Sequence, residues 1–142
     1  QGIDQWQDNY PNYETIKNDI KYNNCYVLLN DKLIVGTVAA IFGEEKTYKN
    51  IYNGKWLSDK EYLTIHRLTI SFNYRRLGLS SVILSKIEEL CIGKNVYSIK
   101  VDTHEENIPM QNFLRKAGFQ YCGIIYLENG NKRIAFEKII DK

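Results

Sequence analysis

The sequence predicts a mixed α/β fold, a twisted sheet flanked by helices, on three observations. Residues 63–70 form a β-like run that passes through a basic turn into a helical run at residues 80–92. A second strand-to-helix unit follows, with a β-like run at residues 96–101 and a helix opened by Asn107 and ended at Gly118. Residues 119–127 and 132–138 then flank Glu128-Asn129-Gly130-Asn131, whose Asn-Gly pair is a strong hairpin signal.

Taken from the start, Gln1-Gly2-Ile3-Asp4-Gln5-Trp6 begins without an initiator Met. Pro11 then opens a predicted short helix over residues 12–22, with Ile16 and Ile20 on one face. Residues 24–29 and 32–42, on either side of Asn30-Asp31, read as a hairpin. Residues 43–60 are polar and aromatic, a predicted loop beside the mouth of a site. No internal repeat or linker breaks the pattern, and residues 1–142 read as one domain, large enough for a real core.

Bulk properties exclude several classes. Nineteen basic against seventeen acidic residues give a net charge of +2, too balanced to favour nucleic acid or an anionic membrane as partner. No apolar run approaches the ~20 residues that a membrane span needs, and no signal peptide opens the chain. Cys25, Cys91 and Cys122 are odd in number and set among apolar neighbours. They read as reduced, packed thiols of a cytoplasmic protein, with no metal site.

The stretch that carries most chemistry is Tyr74-Arg75-Arg76-Leu77-Gly78-Leu79-Ser80-Ser81, where the first strand turns into a helix. Such a turn exposes several backbone N–H groups at the positive end of the helix dipole, which suits a phosphate or pyrophosphate. Arg75 and Arg76 add forked donors, and Gly78 lets the backbone approach an anion closely. A Walker-type loop needs Lys and Ser or Thr straight after its last Gly, and a dinucleotide fingerprint needs three spaced glycines. Neither spelling is present.

The segment resembles instead the Arg/Gln-x-x-Gly-x-Gly/Ala signature of the GCN5-related N-acetyltransferases, the GNAT superfamily. Arg75, Gly78 and Ser80 fall on its three defined positions, with Ser80 in place of the usual Gly or Ala. The run Asn107-Ile108-Pro109-Met110-Gln111-Asn112-Phe113-Leu114-Arg115-Lys116-Ala117-Gly118-Phe119 resembles the family's later motif, an Asn opening a helix that ends in Lys-x-Gly-Phe. The likeness covers residues 61–142 closely and residues 24–42 more loosely. It implies the GNAT fold, with residues 1–6 as the tail of a first helix whose preceding part, and the first strand, lie outside this chain.

The resemblance also implies the chemistry: acetyl transfer from acetyl-CoA to an amine, carried by a small molecule or by a peptide or protein N-terminus. The backbone of Leu68, Thr69 and Ile70 is expected to hold the pantetheine and the acetyl carbonyl. The N–H groups of Arg76, Gly78, Ser80 and Ser81, with the charge of Arg75, are expected to hold the pyrophosphate. Asn107 matches the family Asn beside the pantetheine arm, and its capping role explains it equally well. Ile70 and Phe72 stand where the family usually has Val and Pro.

Amine attack needs a proton acceptor, and the leaving thiolate needs a proton donor. Asp102 and His104 follow the 96–101 run, at the point where the family's central strands splay, and are the candidate bases. Asp102 lies five residues before Asn107, the spacing at which the ribosomal-protein N-terminal acetyltransferase branch places a Glu. Asp102-Thr103-His104 reads equally as a turn bonded to backbone. His66 and Glu61 are further candidates. The family's usual Tyr acid is replaced by Leu114, which leaves Tyr126, with Tyr121 and Tyr62, as candidate donors among eleven tyrosines. Restoring Tyr at position 114 is expected to keep or raise the rate. A homodimer stays open. A different class is an acyl-CoA-binding sensor that turns over poorly, and Leu114 is its best support.

Overall fold

A computed structural model describes residues 13–18, 25–30, 33–70 and 78–140. Residues 1–6, with the expected helix tail, lie outside them. Among the described residues the order is β1 (Tyr13–Asn18), β2 (Cys25–Asn30), β3 (Leu33–Phe42), a 3₁₀ turn (Lys46–Tyr48), β4 (Leu63–Ile70), α1 (Leu79–Gly93), β5 (Ser98–Thr103), α2 (Ile108–Lys116), β6 (Gln120–Tyr126) and β7 (Lys132–Ile139). The expected mixed α/β class is what the structure has. The chain divides into two compact units, residues 1–40 with 67–87 and residues 41–66 with 88–142.

In the first unit β1, β2 and β3 pair antiparallel in sequence order. The expected helix over residues 12–22 is corrected here, because Tyr13–Asn18 is a strand. Six register pairs, from Tyr13↔Asn30 to Asn18↔Cys25, give it a complete ladder with β2. Only Ile16 and Ile20 supported the helix, whereas Thr15 and Ile16 are β-branched and suit an extended chain beside a partner. The 24–29 and 32–42 hairpin is present as β2 and β3, with a register shift at Leu28/Leu29. Leu79, Ile83, Leu84 and Ile87 of α1 are all buried, at the four-residue recurrence of a helix with one apolar face.

In the second unit β4 and β5 run parallel, and β7 joins β5 and β6 by antiparallel ladders. β5 is buried along most of its length, with Ile99 at 0 % and Val101 at 6 % exposure. The β6–β7 hairpin closes where Asn-Gly indicated. Leu127 N–H donates to Asn131 O at 2.8 Å, and Asn131 N–H reaches the Asn129 side chain at 2.9 Å. Asn107 caps α2 by accepting from Met110 N–H at 3.2 Å, with Pro109 in the first turn.

Residues 43–60, the expected loop, are packed with Glu61 and Tyr62 as a cover on this unit. Tyr52 and Ile124 exchange both backbone bonds at 2.8 Å, which ties the cover to β6. Gly54 makes the approach possible, since a Cβ there meets Cys122 O at 1.9 Å. Buried Glu137 completes the tie. One carboxylate oxygen accepts from Leu57 N–H at 2.7 Å and the other from the Ser98 hydroxyl at 2.6 Å.

Candidate active site

Along β5 the side chains alternate, so Ser98, Lys100 and Asp102 share one sheet face. That face lies under the cover, because Ser98 meets Glu137, Lys100 meets Trp56 and Tyr62, and Asp102 meets Tyr48. The parallel ladder of β4 with β5 contains Leu63↔Ile99, Thr64↔Lys100 and Ile65↔Val101. The next residues, His66 and Asp102, are not a ladder pair, although Asp102 keeps its partner Ala135 on β7.

Asp102 is half-buried at this point. Its Oδ1 accepts the Tyr48 hydroxyl at 2.6 Å, the short length of a bond to a charged acceptor. Burial raises its pKa above the usual carboxylate value, while the Tyr48 bond and the charges of His66 and Arg133 pull it back. Tyr48 is buried, and burial with the adjacent Asp102 charge pushes its phenol well above the usual value. The pair thus holds one proton firmly on the phenol and leaves the carboxylate as the group that titrates. Asp102 Oδ2 has no hydrogen bond among the described residues.

Tyr48 is itself held. Its ring packs on Trp56 at 5.1 Å and Tyr62 at 6.3 Å, and Trp56 Nε1 donates to Tyr48 O at 2.9 Å. Tyr62 OH accepts from Glu45 N–H at 2.8 Å, and Glu45 meets His66 Nε2 at 3.2 Å. His66 therefore joins the Asp102 group through charge, and Glu45 is its direct partner.

The other expected residues fall elsewhere. His104 is exposed, and its Nδ1 accepts from Glu106 N–H at 3.0 Å while its carbonyl accepts from Asn107 N–H at 2.9 Å. It forms the turn that opens α2. Tyr126 is exposed at the end of β6, edge-on to Tyr52 at 5.5 Å, and no hydrogen bond among the described residues joins it to Asp102. Glu61 is exposed. Tyr121 stands edge-on to Phe136. Leu114 is 2 % exposed, so the residue at the family's Tyr position packs in the core of its unit. A phenol placed there meets filled space, which removes the basis for expecting Leu114→Tyr to aid the rate.

The expected anion loop is described in part, in the first unit. Arg75 and Arg76 lie outside the described residues. Gly78 has φ +74° and nothing within 4 Å of the position a Cβ would take. Val82 N–H bonds Gly78 O at 3.3 Å, so the amides of Leu79, Ser80 and Ser81 precede the first helical donor. No acidic residue sits in this turn. Open space, first-turn amides without a helical acceptor among the described residues, and the dipole end fit a phosphorylated group. Leu68, Thr69 and Ile70 form the last turns of β4, partly or fully exposed.

Sequence reasoning missed Tyr48, Glu45 and Lys100. The two-residue step from Asp102 back to Lys100 was a readable signal for the last; no local signal singles out Tyr48 among eleven tyrosines. Among the described residues no group of His, Cys, Asp and Glu could hold a metal, and no helix is long and apolar enough to cross a membrane.

A strand followed by a helix whose first-turn amides precede the first helical donor in one unit, and a mixed sheet bearing a carboxylate–phenol pair in the other, are features of an α/β domain of the acyl-transfer kind. A family model described as Acetyltransferase (GNAT) family matches residues 3–119, and the chain belongs to this family. An acetyltransferase of the GNAT family from Streptococcus agalactiae 2603 is similar at 40% identity and TM-score 0.74, over 83% of this chain and 66% of that one, just under two thirds of its length. Ard1 from Thermoplasma volcanium shares the fold at 17% identity and TM-score 0.62, over 83% and 71% of the two chains. So does Arabidopsis thaliana Naa50, solved with the bisubstrate analogue CoA-Ac-MVNAL, at 18% identity and TM-score 0.60, over 80% and 71%. No curated protein matches the chain.

Proposed function

We propose that this chain transfers an acetyl group from acetyl-CoA to a primary amine of a small molecule or of a peptide N-terminus. The observation that carries the reading is the Tyr48–Asp102 pair, a half-buried carboxylate held at 2.6 Å beside the end of the β4–β5 ladder. When bound, acetyl-CoA supplies the acetyl carbon and departs as the thiol. The chain's residues bind, orient and move protons. The amides of Gly78, Ser80 and Ser81 face the pyrophosphate, with Arg75 and Arg76 adding charge, and the β4 end at Leu68, Thr69 and Ile70 lines the pantetheine.

Asp102 takes the proton of the acceptor ammonium, directly or through one water, so that a neutral amine meets the acetyl carbon. Its burial suits that work, since a carboxylate with a raised pKa is a stronger base. Tyr48 fixes the carboxylate and keeps its own proton. His104 and Tyr126 are the weaker candidates, given the turn bond of the one and the exposed edge position of the other. The second proton of the amine leaves through solvent to the thiolate, because Leu114 offers no hydroxyl. Naa50 is solved with a peptide-bearing analogue, which supports an N-terminal peptide acceptor as one form of this reading. A cytoplasmic setting is part of the proposal, since acetyl-CoA and reduced thiols go together there.

The test is a coupled thiol-release assay on the complete protein with a panel of small amines and short peptides. Acceptor-dependent release that falls ~10²-fold or more in Asp102→Asn supports the transfer. Tight acetyl-CoA binding with no acceptor-dependent release favours the acyl-CoA sensor, the reading that buried Leu114 supports.

A further inference from the structure

Lys100 is a charge in the second unit that the Tyr48–Asp102 pair does not use. It is 4 % exposed, yet it forms no ion pair among the described residues. Its ammonium stands over the Tyr62 ring at 4.0 Å and the Trp56 ring at 4.4 Å, and its hydrogen bond to Ser58 O is a long 3.4 Å. Ring faces attract a cation but take few of its N–H donors, and a buried charge is disfavoured without a full set of partners. Burial accordingly lowers the Lys100 pKa, with the charge of Glu137 opposing. The two Glu137 oxygens accept from Leu57 N–H and from the Ser98 hydroxyl.

Lys100 borders a cavity of about 1290 Å³ between the cover and β5, with room for a small organic molecule. The other charges around it cancel, with Lys49, Lys55 and Lys60 against Glu44, Asp59 and Glu61, which leaves Lys100 as the net charge. Buried Tyr48 also borders the cavity and gives its hydroxyl to Asp102, which is not part of the lining. The cavity is therefore separate from the carboxylate of the proton-moving pair. Two lining side chains, Leu57 on the cover and Ile139 at the end of β7, are apolar and exposed at 43 % and 46 %. Ile139 pairs with Ser98 in the β5–β7 register, so it shares the sheet face of Lys100, two residues or roughly 6.6 Å along the strand. One cavity thus holds an under-partnered cation and, a short step away, apolar surface that water meets.

We propose that this cavity is a second binding site, for a small organic acid whose carboxylate lies at Lys100 and whose apolar body lies on Leu57 and Ile139. The carboxylate supplies the acceptor and the counter-charge that the ammonium lacks. The apolar body takes Leu57 and Ile139 out of water. A bare anion leaves that surface wet, and a neutral molecule leaves the cation unpaired. No group is transferred here, and the site does not depend on the acetyl-transfer reading above.

The test is calorimetric titration of the complete protein with hexanoate and 4-phenylbutyrate, with their uncharged amides, and with acetate as the headgroup alone. At least one of the two acids should bind ~10-fold or more tighter than its amide, as a charge-assisted hydrogen bond requires. The same acid should bind ~10-fold or more tighter than acetate. Lys100→Met should erase the preference for acid over amide, and Lys100→Arg should retain part of it. Leu57→Ser and Ile139→Ser, at exposed side chains, should each weaken the acid ~3-fold or more and leave acetate unchanged. These two variants, with the acid–amide comparison in the parent, carry the test should Lys100→Met fold poorly. Asp102→Asn should bind the acid as the parent does, whether or not any amine is acetylated. No acid bound, acid and amide bound alike, acetate bound as tightly as the longer acids, or equal binding in parent and Lys100→Met overturns the proposal. So does loss of acid binding in a folded Asp102→Asn, which places the acid at the acetyl-transfer site instead.

Discussion

Tyr48 and Asp102 show how one hydrogen bond decides what each group can do. The bond lowers the Asp102 pKa while burial raises it, and burial has the larger effect. Ionised Asp102 is thus disfavoured in the fold relative to the unfolded chain. Its contribution to stability is present below the ordinary carboxylate value of 3.8 and is lost as pH rises through the raised folded value. Catalysis runs the opposite way, since the base form appears as pH rises through that same value. Tyr48→Phe removes the lowering bond, so the acid limb of kcat/KM should move to higher pH, at a stability cost of about 2 kcal/mol. Asp102→Asn should abolish that limb and reduce turnover ~10²-fold or more with acetyl-CoA affinity kept. A pH–rate profile left unchanged by both variants removes Asp102 from the mechanism. Asp102 was legible in the sequence from its place after a strand and before a capped helix. Tyr48 was not, because a partner 54 positions away is set by tertiary packing alone.

At the scale of elements, β4, α1, β5, α2 and the β6–β7 hairpin were legible because local chemistry and global fold agree there. Asn107, Pro109 and Gly118 punctuate α2, and Asn129-Gly130 turns the hairpin. The strand at Tyr13–Asn18 was not legible, since its stability comes from β2 and its own apolar spacing suggested a helix. The cover was legible only as a polar and aromatic loop beside the mouth of a site, and its fixings are long-range. Gly54→Ala should detach it, because the 1.9 Å approach to Cys122 O leaves no room for a methyl. Amide exchange at Tyr52 should then speed up with little change at the β5–β7 ladder, and equal speeding at both places counts against a local tie. Gly78→Val tests the other motif. The left-handed φ of +74° strains any β-branched residue, and the side chain enters the open space before the helix. Acetyl-CoA affinity should fall by on the order of 2 kcal/mol, read by calorimetry on a variant whose melting temperature confirms folding.

Across the whole molecule, the thiols report integrity. Cys91 and Cys122 are buried free thiols, and burial pushes them up to about 12 and about 11. In a Cys25→Ser background at pH 8, an aromatic disulfide reagent should label neither thiol within the time of a turnover assay. Labelling should follow the global unfolding transition in urea. Fast labelling of either in the native protein shows that its unit opens locally. The net charge of +2 was legible at once, and it gives no reason for a salt-dependent partner.

The fastened cover has a consequence for time as well as for structure. Glu137 holds Leu57 and Ser98 together, and Tyr52 and Ile124 are bonded both ways, before any acceptor arrives. A cover already fastened needs no closing step, so encounter and capture are one event. In stopped-flow mixing the observed rate should rise in direct proportion to acceptor concentration, as a single phase with no plateau, at an on-rate above ~10⁵ M⁻¹s⁻¹. Acceptor discrimination then resides in how long each molecule stays. A rate that saturates with concentration means that the cover must move first, and that its fastenings are released on every cycle.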